Sequence, residues 1–250
     1  MPVHAIQIYV ALIAPAQPRQ PRAFCFRTYT FTAVAVAQDR IREKQFLQEN
    51  GFETARFAVV EQRNALGEAL KQVGMPALIK LSRSGYDGKE QRLVRNLGEA
   101  ELAFDDLGGK PCGLEEWITI QTEVSVVIAR GDDTSAVAYP PSENWHCDGI
   151  LDMCVALARI PPVSADAATR IALQIAALLG YCGVITVVFF VLKDGNLLVN
   201  KIAPYSHNTG YHTEDACITS QFEQQVRALC GLPLGGHYPV SPGSHGQSAR

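Results

Sequence analysis

The sequence predicts an α+β fold, and two observations carry that expectation. First, β-rich runs come in pairs joined by short turns: "EVSVVIAR" and "SAVAYP" flank "GDDT", and "VITVVFFVL" and "LLVNKIA" flank "KDGN". Hairpins build antiparallel sheet, whereas a doubly wound parallel sheet needs a crossover helix between successive strands. Second, helix-period segments with legible caps stand between groups of strands and do not follow each strand in turn.

The first such helix opens at Asp39, an acidic N-cap before "RIREKQFLQEN", and Gly51 closes it. A second, "NALGEALKQV", carries Leu66, Ala69, Leu70 and Val73 at helical spacing, stops at Gly74 and leads through Pro76 into the strand "ALIKL". The glycine-punctuated "SRSGYDGKEQ" predicts a loop ahead of a short strand, "RLVRN". A helix is expected over 165–179, with Ile171, Ile175, Leu178 and Leu179 on one face and Gly180 at its end. A last helix is expected over about 214–229, with Ile218, Phe222, Val226 and Leu229 inward. The tail "GGHYPVSPGSHGQSAR" has little apolar surface to bury and is expected to be disordered.

In the hairpin around "KDGN", the Asp-Gly centre favours a type I′ turn. The resulting register sets Leu192 opposite Leu197, Phe190 opposite Val199 and Val188 opposite Lys201. Opposed side chains have Cβ atoms about 5 Å apart, close enough for two acids to clamp a divalent cation. Val188 and Lys201 cannot do that. Taken alone, Lys201 is a strand-end lysine on a solvated edge.

With 250 residues, 47% of them hydrophobic and 19% charged, the chain suits one core or two small lobes. A formal charge of −3 with no long basic block argues against nucleic acid as a partner and favours small molecules. No apolar run approaches the roughly 20 residues of a membrane span. The seven cysteines are scattered and odd in number, which suits a reducing cytoplasm better than a disulfide framework or a zinc site. Residues 5–14 faintly resemble a secretory apolar region, and 1–38 lack Asp and Glu while carrying Arg19, Arg22 and Arg27, but both targeting signatures are incomplete.

The blocks "AQDRIREKQFLQENGFETARFAVV", "PALIKLSRSGYDGKEQ", "LEEWI", "EVSVVIAR", "YPPSENWHCDGILDMCVALARIP" and "GYCGVITVVFFVLKDGNLLVNKIAPYSHNTG" are, in this order, similar to the ATP-grasp domain of the 5-(carboxyamino)imidazole ribonucleotide synthetase family. The resemblance runs from about Asp39 to Leu234. It implies two α+β lobes, 39–110 and 111–234, around a nucleotide site, with 1–38 unassigned and poorly ordered and 235–250 a tail. It also implies an ADP-forming ligase that uses ATP, bicarbonate and magnesium to carboxylate 5-aminoimidazole ribonucleotide in purine synthesis, in the cytoplasm and as a possible homodimer.

By the same resemblance, Lys80 meets the phosphates, and a loop containing Gly85, Tyr86, Asp87, Gly88, Lys89 and Gln91 covers them. Glu115, Glu116, Trp117 and Ile118 line the adenine edge, Glu123 holds the ribose, and His146 and Asn200 complete the pocket. His207 and Asn208 are surviving substrate positions. The residue types suit these roles: lysine is a point-charge phosphate ligand, glycines let backbone N–H groups approach an anion, and an acid accepts from sugar hydroxyls. Each also has a plain alternative. "GYDGK" alone is an ordinary turn, Glu123 a solvent-facing strand residue and His146 a satisfied loop histidine.

The sequence departs from the family where the metal would sit. Family members carry glutamates at the positions of Val188 and Lys201, so the expected metal ligands here are none. Glu90 replaces a lid glycine, and Tyr205-Ser206 replaces Arg-Pro. The family's N-terminal nucleotide-fold domain and final subdomain are not recognisable in the chain. These departures imply a truncated, impaired or inactive copy, a pseudoenzyme; the competing readings are a non-catalytic nucleotide-binding or assembly module and a gene fragment.

Overall fold

The computed structural model describes residues 29–83, 90–147, 150–240 and 247–248. Two antiparallel sheets organise them. The smaller contains β1 (Phe57–Val60), β2 (Ala77–Leu81), β3 (Gln91–Val94) and β4 (Cys112–Glu116) in the order β1-β4-β2-β3. Helices α3 (Leu66–Val73) and α4 (Leu97–Asp106) bury Leu66, Leu70, Val73 and Phe104 against Val60, Ile79 and Leu114 of this sheet. The inward residues of α3 recur at the three- and four-residue spacing read from the sequence.

The larger sheet runs β10-β9-β5-β7-β8-β11, built from β5 (Thr122–Arg130), β7 (Ser142–Cys147), β8 (Ile150–Ala156), β9 (Gly183–Val191), β10 (Leu197–Ala203) and β11 (Gln247–Ser248), with β6 (Ala136–Ala138) paired to β5. Helix α5 (Pro162–Leu178) packs Ala168, Ala172 and Ile175 onto one face, against Val126, Ile128, Val187 and Phe189. On the opposite face Val127, Ala129, Val184 and Tyr139 form a smaller core near α7 (Gln221–Leu229), whose Gln225 accepts a hydrogen bond from Val184 N at 2.5 Å. Alternation along β5 and β9 thus sends one set of side chains to each face.

Several placements differ from the sequence reading. No element is expected before Asp39, yet α1 (Tyr29–Ala37) is helical, and its Ala33 joins the larger core. The sequence of α1, YTFTAVAVA, carries no charged residue and no amphipathic stripe to announce a helix. Helix α2 (Arg40–Glu49), expected in the smaller lobe, buries Leu47 in the larger core, while β4, expected in the larger lobe, pairs with β1 and β2 of the smaller sheet. The last helix is split into α6 (Thr213–Ala216) and α7 by the bridge of Cys217 to Pro239. Part of the expected tail is anchored: Gln224 exchanges two hydrogen bonds with the backbone of Gly235, and Val240 N donates to Ala216 O at 2.8 Å.

The β9–β10 hairpin corrects the expected register. Leu192 N donates to Asn196 O and Gly195 N to Leu192 O, both at 2.9 Å, with Gly195 at φ 83°. This is a three-residue loop with a left-handed glycine, not a two-residue type I′ turn. Val191 therefore faces Leu197, Phe190 faces Leu198 and Phe189 faces Val199, each one position away from expectation. A bulge then inserts Asn200 as an extra residue, and Val188 faces Lys201 as expected. The turn and the bulge offset each other.

Candidate functional site

Where the two lobes meet, α2 acts as a strut. Its N-cap Asp39 accepts from Ile41 N and Arg42 N, and also from Ser82 Oγ at 2.6 Å and Arg83 Nε at 2.8 Å, which ties the helix start to the end of β2. On its inward face Glu43, Lys44 and Leu47 are all buried. Lys44 Nζ donates to Asn200 O at 3.1 Å and Val199 O at 3.4 Å in the larger lobe, and lies 3.6 Å from Glu115 Oε2 of the smaller. Glu43 accepts a short hydrogen bond from Ile202 N. One turn of helix thus holds β4 and β10 together.

On the smaller-lobe wall Lys80 is buried and donates to Glu115 Oε2 at 2.9 Å. Glu115 therefore serves two ammonium groups. Its own burial works to raise its pKa, but Lys80 and Lys44 outweigh that and hold it at about 2. Burial pulls Lys80 below its usual value, with Glu115 opposing. Burial pushes Glu43 up to about 7 in spite of neighbouring Lys44. Arg40 adds positive potential to the same cluster.

On the larger-lobe wall, Glu123 of β5 accepts from Asn144 Nδ2 at 3.0 Å and Asn200 Nδ2 at 3.2 Å, and His146 Nε2 lies 3.6 Å from it. Register explains the grouping: Glu123 pairs with Asn144 across β7, and the bulge at Asn200 re-aims its amide toward β5. The segment after β10 carries His207, whose N–H donates to Gln221 Oε1 at 3.0 Å and whose carbonyl accepts from Gln221 Nε2 at 2.8 Å. Gly210 packs so closely on the Gln221 carboxamide that any Cβ would collide with it, which explains a glycine there without positive φ. Burial, then Lys201 and His146, pull the His207 pKa down to about 3, so its imidazole is neutral.

The structure brings together Lys80 and Glu115 on one wall and Glu123, His146 and Asn200 on the other, joined through Lys44. Gln91 pairs with Lys80 across β2 and β3. Glu116 instead takes a bidentate hydrogen bond from Arg56, at 2.8 and 2.9 Å, on the surface. Trp117 is half exposed and Ile118 half buried in the connection between the sheets, and Asn208 is exposed. Gly85, Tyr86, Asp87, Gly88 and Lys89 lie outside the described residues. Sequence reasoning missed Glu43, Lys44 and Asn144; the "EKxxL" stripe of α2, charged residues on the face that buries Leu47, was the available signal.

A divalent cation does not fit the positions where the resemblance would put it. Val188 is completely buried and offers no donor atom, and Lys201 opposite it is a cation. Among the described residues no group of three or more His, Cys, Asp or Glu side chains is placed to hold a metal. Magnesium needs oxygen ligands, commonly one or two carboxylates beside phosphate.

Residues 45–222 match the ATP-grasp domain. Among curated proteins, the chain is 43% identical over 205 residues to an N5-carboxyaminoimidazole ribonucleotide synthase of Brucella melitensis, covering 81% of this chain and 57% of that protein. It is 38% identical over 208 residues to the synthase of Bacillus subtilis, covering 83% and 55%. A crystal structure of an N5-carboxyaminoimidazole ribonucleotide synthetase in complex with ADP superposes with a TM-score of 0.79 at 33% identity, over 83% of this chain and 55% of that one. The corresponding enzyme of Thermus thermophilus gives 0.77 at 40% identity, over 83% and 56%. The chain spans about half the length of the curated relatives it matches.

Proposed function

The chain belongs to the ATP-grasp family, and from that premise we propose that its cleft binds an adenine nucleotide as the ATP site of an N5-carboxyaminoimidazole ribonucleotide synthase whose turnover is impaired. The observation that supports this reading best is the meeting of Lys80–Glu115 with Glu123, His146 and Asn200 across a single strut, Lys44. In this reading Lys80 meets phosphate and Glu123 accepts from ribose hydroxyls. The full reaction activates bicarbonate with ATP as carboxyphosphate and passes the carboxyl group to the amine of 5-aminoimidazole ribonucleotide. Phosphoryl transfer depends on positioning and on neutralising charge at the transferred group. Val188 and Lys201 leave that step without its metal anchor.

A second reading is favoured by the same pair: a nucleotide-binding or assembly module without turnover. A reducing cytoplasm and homodimeric assembly form part of either proposal, and none of the described cysteines is disulfide-bonded. The test measures ATP affinity and the release of ADP that depends on bicarbonate and 5-aminoimidazole ribonucleotide. Binding with slow turnover supports the impaired synthase, and binding with none supports the module. Turnover as fast as that of the Bacillus subtilis synthase, measured alongside, would refute impairment; no ATP binding under any condition would refute the site.

A further inference from the structure

Lys201 differs from the other lysines of the cleft. Lys80 and Lys44 are buried and share Glu115. Lys201 is half-buried, and among the described residues its ammonium forms no ion pair. The bulge at Asn200 decides where it points. By inserting one residue between Val199 and Lys201, it lets Val199 and Ile202 both reach the larger core while Lys201 projects from the opposite face, which carries Glu123 and Asn144. Opposite it on the neighbouring strand Val188 is fully buried, and close by His207 is held neutral. An unpaired, half-buried ammonium attracts an anion more strongly than one in open water.

We propose that Lys201 takes over the charge-neutralising place of a divalent cation, so that the cleft binds its nucleotide as the metal-free polyphosphate, clamped between Lys80 on one wall and Lys201 on the other. This rests on the nucleotide reading above and specifies the ligand's form. Magnesium chelated to the phosphates removes part of the negative charge that both lysines recognise and brings a second cation against Lys201. Metal therefore weakens binding or leaves it unchanged, the reverse of a carboxylate-anchored site.

The test is calorimetric titration of the full chain with ATP, once in EDTA and once in excess magnesium, repeated with Lys201→Gln, Lys201→Arg and the double variant Val188→Glu with Lys201→Glu. ATP should bind in EDTA at least as tightly as in magnesium. Lys201→Gln should lose about tenfold in EDTA, the equivalent of about 1.4 kcal/mol, and Lys201→Arg should keep most of the affinity. The double variant, if it folds, should bind weakly in EDTA and regain affinity with magnesium; the single variants decide the matter without it. Binding that requires magnesium overturns the inference and leaves the nucleotide site standing. So does EDTA binding that is indifferent to Lys201→Gln. Absence of ATP binding in both buffers overturns the site itself and the inference with it.

Discussion

The two walls of the candidate site carry charge differently. On the smaller-lobe wall Lys80, Lys44 and Glu115 are buried together, with the two ammonium groups sharing one carboxylate, and Lys44 also holds two carbonyls of β10. On the larger-lobe wall Lys201 is half-buried and unpaired among the described residues, opposite the buried Val188. Groups of the first kind serve the fold as well as any ligand, and replacing one leaves a buried charge uncompensated. Groups of the second kind face a ligand alone, so they can change sign with little cost to stability. This is a physical reason why the residue at Lys201 can be exchanged at less cost to the fold than any member of the Lys80–Lys44–Glu115 group.

The comparison predicts a graded series. Glu115→Gln strands two ammonium groups and should cost about 3–5 kcal/mol in urea unfolding, a large part of the roughly 5–15 kcal/mol by which an ordinary domain is stable. A loss below about 1 kcal/mol would erase the distinction between the walls. Next, Glu43 rises from its ordinary 4.5 to about 7 in the folded protein. Its contribution is complete below about pH 4.5 and lost as pH rises through about 7, on the order of 3 kcal/mol. Glu43→Gln should flatten the fall in unfolding free energy between about pH 5 and 8. Glu115 has the opposite sign. Its pKa drops from 4.5 to about 2, so its contribution is present above about pH 4.5 and disappears as acid carries it through 2.

Asp39→Ala removes both the cap of α2 and its tie to Ser82, and should cost about 1–2 kcal/mol, read as a lower urea midpoint. Lys201→Ala should change unfolding free energy by no more than about 0.5 kcal/mol. A larger change would show that Lys201 serves the fold after all.

Legibility followed locality. The caps of α2 and the apolar stripe of α3 were readable because both depend on neighbours within a few residues. Helix α4 was readable and missed: Asn96 Oδ1 accepts from Glu99 N at 2.9 Å, and Glu99 Oε2 accepts from Arg95 N, a capping arrangement visible as Asn-x-x-Glu. The hairpin shows the limit. Asp194-Gly195 identified a turn, but the three-residue loop and the compensating bulge at Asn200 are chosen jointly with packing, since together they allow both Val199 and Ile202 to enter the core.

By itself the sequence determined the α+β class and the ATP-grasp family, because these are properties of composition, period and the order of its blocks; Lys80, Glu123 and the Val188–Lys201 pair it nominated through the family resemblance. Only the tertiary structure decided that Lys44 joins the two walls, that Glu115 answers to two lysines, and that Lys201 is left without a counter-charge among the described residues. Those facts depend on which atoms from distant strands come within a few ångströms of one another. Residues 155 or more positions apart, such as Lys44 and Asn200, are brought together by sheet order and helix packing and not by any local pattern.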